Sequence, residues 1–171
     1  MIFDTGLSYM VSYIVTTVFV FFGVYVGALL AFIAPEELAP GKLYFKALMN
    51  TLLVFIILIL LHAYNANLFV LIFLGVVMSI TLYYTHLTSP INQIAYFLLG
   101  IAFFFSTKSV ELFITITSMI FIYGLPLGSL YVARRMKKSK KTLLADVFLN
   151  FSFFMVVSLM TNLIVLYIGN I

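Results

Sequence analysis

The chain is a succession of apolar runs, each near the length of a bilayer crossing, parted by short polar breaks. In 171 residues the runs fall at about 8–33, 43–63, 66–86, 89–106, 109–133 and 143–168. Hydrocarbon about 30 Å thick takes roughly 20 apolar residues in helical form. Backbone groups in lipid must bond within their own segment, so each run is expected to be a helix. The alternating segments of a transmembrane barrel, roughly 10 residues each, are absent. Composition points the same way. The chain is 65% hydrophobic and 8% charged, against about 25% charged in a soluble domain, and its mean hydropathy is +1.25. The expectation is an all-α, polytopic transmembrane bundle of six spans, one integral membrane domain over residues 1–171.

The breaks carry the turn chemistry. In "APEELAPGK" (34–42), Pro35 with Glu36 and Glu37 is expected to start one interfacial turn that Pro40-Gly41 then breaks. "HAYNAN" (62–67) is the second break. In "HLTSP" (86–90), Ser89 reads as an N-cap with Pro90 at the first helical position. "STKSVE" (106–111) follows, and "RRMKKSKK" (134–141) is the one charge block. The opening "MIFDTGLSYM" has no basic region and places Asp4 before the apolar run, so a retained first span is expected rather than a cleaved signal.

Lys and Arg near span ends set orientation. Lys42, Lys46, Arg134, Arg135, Lys137, Lys138, Lys140 and Lys141 fall on one side of a six-span arrangement, and Lys108 alone falls on the other. The 134–141 loop is therefore expected in the cytoplasm and both termini outside. The expected location is a cell membrane, that of a prokaryote. The uninterrupted apolar part of the fourth run, "INQIAYFLLGIAFFFS" (91–106), is only 16 residues. Local thinning absorbs a modest mismatch, which favours six spans. A re-entrant fourth segment would leave five, with the N-terminus inside.

"FVFFGVYVGAL" (19–29) and "IFIYGLPLGSL" (120–130) align Gly23 with Gly124, Gly27 with Gly128 and Ala28 with Ser129. Further on, "KALMN" (46–50) parallels "DVFLN" (146–150), aligning Lys46 with Asp146 and Asn50 with Asn150. Spans one–two and five–six thus read as two copies of a helical hairpin. Small residues four apart give a groove in which two backbones can approach, which is how helices associate in lipid. Gly23, Gly27, Gly124 and Gly128 are therefore expected at helix contacts. Pro126, which lacks an N–H, is tolerated only in packed surroundings.

Of the few ionisable residues, Lys46 and Asp146 lie about one turn inside their spans, each with an asparagine one turn further in. If the repeat axis passes between spans two and six, Lys46 meets Asp146 and Asn50 meets Asn150, making a polar layer near the cytoplasmic face. The plainer reading has Lys46 snorkelling to headgroups and Asp146 complementing a helix start. His62 and His86 sit at span ends without an acidic or histidine partner at i+3 or i+4, so neither carries a metal-ligand spacing. Ser152, Ser158, Thr161 and Asn162, with Thr115, Thr117 and Ser118, are available for interhelical hydrogen bonds of about 0.6 kcal/mol each.

No cysteine is present, which removes disulfides and thiolate sites. No hydrolase elbow, zinc-protease motif, phosphate loop or dinucleotide fingerprint appears. No catalytic residue, cofactor or metal is therefore expected. The expected partners are the bilayer, with anionic lipid at the basic loop, and other membrane subunits or further copies of the chain; no nucleic acid is expected. The function expected first is a non-catalytic scaffold or small subunit of a larger membrane complex. The alternative is a small transporter or channel, resting on the repeat and the polar layer, and a lipid-acting enzyme ranks third. A reporter fused to either terminus should read as translocated; a cytoplasmic N-terminus would instead support the five-span arrangement.

Overall fold

The structure, a computed structural model, describes residues 7–85, 89–135 and 139–169, with side chains placed for 10–81, 94–135 and 139–164. Every described element is helical: α1 (Leu7–Ile33), α2 (Leu38–Ala63), α3 (Leu68–Thr85), α4 (Ser89–Phe105), α5 (Val110–Ala133), α6 (Lys140–Phe151) and α7 (Phe153–Gly169). Single 3-10 turns occupy Pro35–Glu37 and Ser106–Lys108. The fold is an all-α bundle. Four helical stretches are long and apolar enough to cross a membrane: Met10–Ile33, Pro35–Ala63, Val110–Ala133 and Lys140–Ile164. Leu68–Thr81 and Ile94–Lys108 are shorter apolar helices. Only Ser152 separates α6 from α7, and its N–H still donates to the Phe148 carbonyl while its own carbonyl accepts from Val156. The two helices therefore make one continuous passage.

Local chemistry explains the ends. Pro40-Gly41 does not break the chain as expected, because α2 already begins at Leu38. Pro40 then lies in the first turn, where its missing N–H has no intrahelical partner to lose. At the other end Asn65 takes the left-handed conformation at φ 59°. The Ala66 N–H reaches back to the Leu61 carbonyl at 3.0 Å, closing α2 in the manner of a Schellman turn. Asn67 then starts α3, its Oδ1 accepting from the Phe69 N–H at 3.0 Å. Ser109 caps α5 through the Leu112 N–H, and Ser139 caps α6 through that of Thr142.

Helix directions alternate along the chain. Tyr96 stacks near Tyr123 and Phe103 near Phe113, so α4 runs antiparallel to α5. Tyr13 reaches Ser158 while Phe21 reaches Phe148, so α1 opposes the α6–α7 passage. Tyr13 faces Phe113 and Gly27 faces Ser129, so α1 and α5 run parallel. Alternating directions of α2, α3 and α4 bring α5 back parallel to α1. This parallel pairing is the one that six passages would give.

α5 is the hub. From Tyr123 to Val132 almost every residue is buried, because α1, α2 and α4 enclose it with α6 beside its end. Its closest neighbour is α1. A Cβ placed on Gly27 would collide with the Leu125 carbonyl, one on Gly128 with the Val24 carbonyl, and one on Gly23 with the Phe121 carbonyl. On Gly124 it would come 2.8 Å from the Val24 nitrogen. The Ser129 hydroxyl lies 2.7 Å from the Gly27 carbonyl oxygen. Two of these contacts exchange under the repeat. Gly27 meets Leu125 and Gly128 meets Val24, and each pair is converted into the other by the offset that aligns the glycines.

The hairpins are interleaved around this crossing. α2 packs chiefly on α5, the first helix of the other copy, and α6–α7 packs on α1 as well as on α4. Pro126 is buried inside α5, which continues through it. Leucine at Gly27 or Gly128 should lower stability by about 3 kcal/mol, since the obstacle is backbone that cannot rotate aside. Thermal unfolding in detergent measures this, and an unchanged midpoint for both variants would remove the glycines from the contact.

Candidate functional site

Lys46 and Asn50 on α2 and Asp146 and Asn150 on α6 are carried by helices that share no extensive contact. The repeat axis passes between α1 and α5, not between α2 and α6. α2 consequently lies against α5 and α3, whereas α6 lies against α1, α4 and the end of α5. No ion pair joins Lys46 to Asp146 among the described residues. Both side chains are half-buried. Asn150 uses its Nδ2 within its own neighbourhood, donating to the Tyr131 hydroxyl and to the Asp146 carbonyl, each at 2.6 Å. Asn50 instead lines a groove between α2 and α3.

The basic residues gather at one end of the bundle. Lys42 and Lys46 lie on the first turns of α2, and Arg134, Arg135, Lys140 and Lys141 flank the α5–α6 connection; Lys137 and Lys138 lie outside the described residues. Not all of them reach outward. The Arg135 guanidinium sits 4.1 Å from the Tyr131 ring centre, and the Lys140 ammonium sits 5.6 Å from that of Phe32. These cation–π contacts hold the loop against the helix ends. At the opposite end the Lys108 ammonium donates to the Ala63 carbonyl, the last residue of α2, and lies 4.5 Å from the Tyr64 ring centre. A cation there favours the negative helix terminus. The Tyr64 hydroxyl completes the clamp at the Phe105 carbonyl, 3.0 Å away. His62 is exposed at this end, and His86 lies outside the described residues.

A buried polar seam joins α1 to α7 at the Lys108 end. The Tyr13 hydroxyl is 2.8 Å from Ser158 Oγ and 3.1 Å from the Ser158 carbonyl oxygen. Thr17 donates to the Tyr13 carbonyl at 2.8 Å and lies 3.5 Å from Ser158 Oγ. Tyr13, Thr17, Ser158 and Asn162 are all buried. Sequence reasoning had Ser158 and Asn162 as hydrogen-bonding residues but missed Tyr13 and Thr17. The missed signal is spacing: each pair is i, i+4, so each forms one polar stripe on an otherwise apolar helix. Thr161 returns its hydroxyl to the Val157 carbonyl and Thr115 to that of Glu111, so both are satisfied within their own helices.

A second buried pair behaves differently. Tyr96 and Tyr123 stack with ring centres 6.3 Å apart, both fully buried. Neither hydroxyl reaches a protein partner, and neither does that of Thr117. A third close backbone approach, also unread in the sequence, is Gly100, where a Cβ would come 2.8 Å from the Phe154 carbonyl oxygen of α7.

Two lateral crevices flank the central crossing. One, about 350 Å³, is lined by residues including Phe21, Tyr25 and Phe148. The other, about 290 Å³, is lined by residues including Ile122, Pro126 and Leu48. These two sets occupy equivalent places in the aligned hairpins, so the repeat extends to the side pockets. A larger groove of about 610 Å³ lies between α2 and α3. No group of three or more His, Cys, Asp or Glu able to hold a metal occurs among the described residues. Comparisons with protein-family models, with curated proteins and with solved structures returned no match.

The two kinds of buried tyrosine should separate on mutation. Tyr13→Phe removes a paired hydroxyl and leaves Ser158 short of a partner, costing about 1 kcal/mol. Tyr123→Phe removes a hydroxyl with no protein partner and should be neutral or stabilising by up to about 1 kcal/mol. Unfolding midpoints in detergent give the comparison.

Proposed function

We propose that this chain is a non-catalytic multi-pass membrane protein, a scaffold or small subunit of a larger membrane complex. The observation that carries this reading is the position of α3. Its one extensive packing partner among the described residues is α2. Phe69 and Phe73, one turn apart on its outer surface, are 81% and 71% exposed. Helices in lipid gain little from apolar burial and are held by close packing. A helix packed along one neighbour suits a place completed by another subunit. The transport alternative drew on a Lys46–Asp146 layer, and the helices that carry these residues share no extensive contact. The glycine-sealed crossing of α1 and α5 also occupies the axis about which the hairpins are arranged.

On the same reading the end bearing Lys42, Lys46, Arg134, Arg135, Lys140 and Lys141 faces the cytoplasm. Its exposed members meet anionic headgroups, each basic residue contributing about 1 kcal/mol near the surface. Purification in mild detergent should recover the 19.3 kDa chain with a stable, stoichiometric membrane partner. Phe69→Ala combined with Phe73→Ala should release that partner while leaving the unfolding midpoint within about 2 °C. A monodisperse single chain would defeat the proposal, and a homogeneous homo-oligomer would favour transport.

A further inference from the structure

The α2–α3 groove has a graded lining. Toward the basic end its walls carry Asn50 and Thr51 from α2, with Ser79 of α3 below them; toward the other end they are Phe55, Leu58 and Ile72. Ser79, also in the lining, donates its own proton to the Gly75 carbonyl at 2.8 Å, which leaves its oxygen an acceptor. Lys46, one helical turn before Asn50, stands at the head of the groove, half-buried and in no ion pair among the described residues. The order along the membrane normal is therefore cation, amide and hydroxyls, then hydrocarbon.

We infer that this groove is a binding site for an anionic phospholipid of the leaflet at the basic end. The phosphate lies by Lys46, the ester region by Asn50 and Thr51, and one acyl chain descends between α2 and α3. Length supports a lipid over a protein helix. From Ala47 to Leu58 the groove runs about 17 Å at 1.5 Å per residue, close to one leaflet's share of a hydrocarbon core about 30 Å thick. A transmembrane helix would call for a groove through both leaflets. Phe69 and Phe73 lie seven residues before the groove residues Val76 and Ile80, on the same stripe of α3 but nearer its start, so the lipid site adjoins the surface given to a partner subunit above and occupies the basic end of it.

The chain contains no tryptophan, which permits a clean test. Val76→Trp places one reporter on the groove wall, and Val15→Trp places a control on the exposed outer face of α1. Each full-length protein is reconstituted into vesicles containing phosphatidylglycerol or phosphatidylcholine with brominated acyl chains. The groove reporter should show about fivefold preference for phosphatidylglycerol and the control none. Lys46→Gln should abolish the preference without abolishing quenching. If Val76→Trp lowers thermal stability, Phe55→Trp supplies a reporter on the opposite wall. Equal quenching by both lipids at the groove, or a preference surviving Lys46→Gln, would overturn the assignment. So would a groove reporter that neither lipid quenches, since a protein surface would then cover it.

Discussion

Backbone against backbone at the α1–α5 crossing is the contact on which the rest of the bundle depends. Hydrophobic residues supply no strong reason for one helix to leave lipid for another. What remains is van der Waals contact and hydrogen bonding, and both weaken steeply with separation. Gly23 and Gly27 against Gly124 and Gly128 bring the two main chains close enough that carbonyl oxygens occupy the places side chains would take. That approach also lets Ser129 bond across to the Gly27 carbonyl. Ala28, the residue aligned with Ser129, is fully buried in the same seam.

With the centre closed, everything else is arranged around it. α2 and the α6–α7 passage each lean on the first helix of the other hairpin, so the halves are interlocked rather than merely adjacent. α4 completes the enclosure of α5 and approaches α7 closely at Gly100, its aromatic side chains filling the space with Phe151 and Phe154. α3 lies outside this scheme. The consequence is a bundle with a dense interior and an open flank. The α2–α3 groove and the outer face of α3 are both on that flank.

Polar groups are distributed accordingly. The ones at the ends clamp loops: Lys108 to the end of α2, Arg135 over Tyr131, Lys140 over Phe32. The ones inside are mostly satisfied in place, through Tyr13 and Thr17 with Ser158, or by return to a carbonyl one turn back. Exceptions include the hydroxyls of Tyr96, Tyr123 and Thr117, which reach no protein partner, and one guanidinium nitrogen of Arg135. An unmade hydrogen bond in such surroundings costs about 1–3 kcal/mol, so the three hydroxyls mark a less settled part of the interior.

The sequence by itself determined the fold class, because apolar runs of bilayer length leave helices as the available structure. It also determined the separation of Lys108 from the other described basic residues, which follows from counting crossings. The glycine spacing and its repetition were legible, since small residues four apart make one face of a helix whatever surrounds it. Which face met which was a tertiary matter. Lys46 and Asp146 shared a register in two hairpins, yet equivalence under a repeat axis brings residues together only if that axis runs between their helices. It runs between α1 and α5, where the small residues allow the closest approach, and this leaves the two charges on different flanks. Tyr13 and Thr17 were likewise ordinary residues of an apolar run until α7 lay beside them. A hydrogen bond across 145 positions depends on where two helices cross, and no local pattern of side chains encodes that.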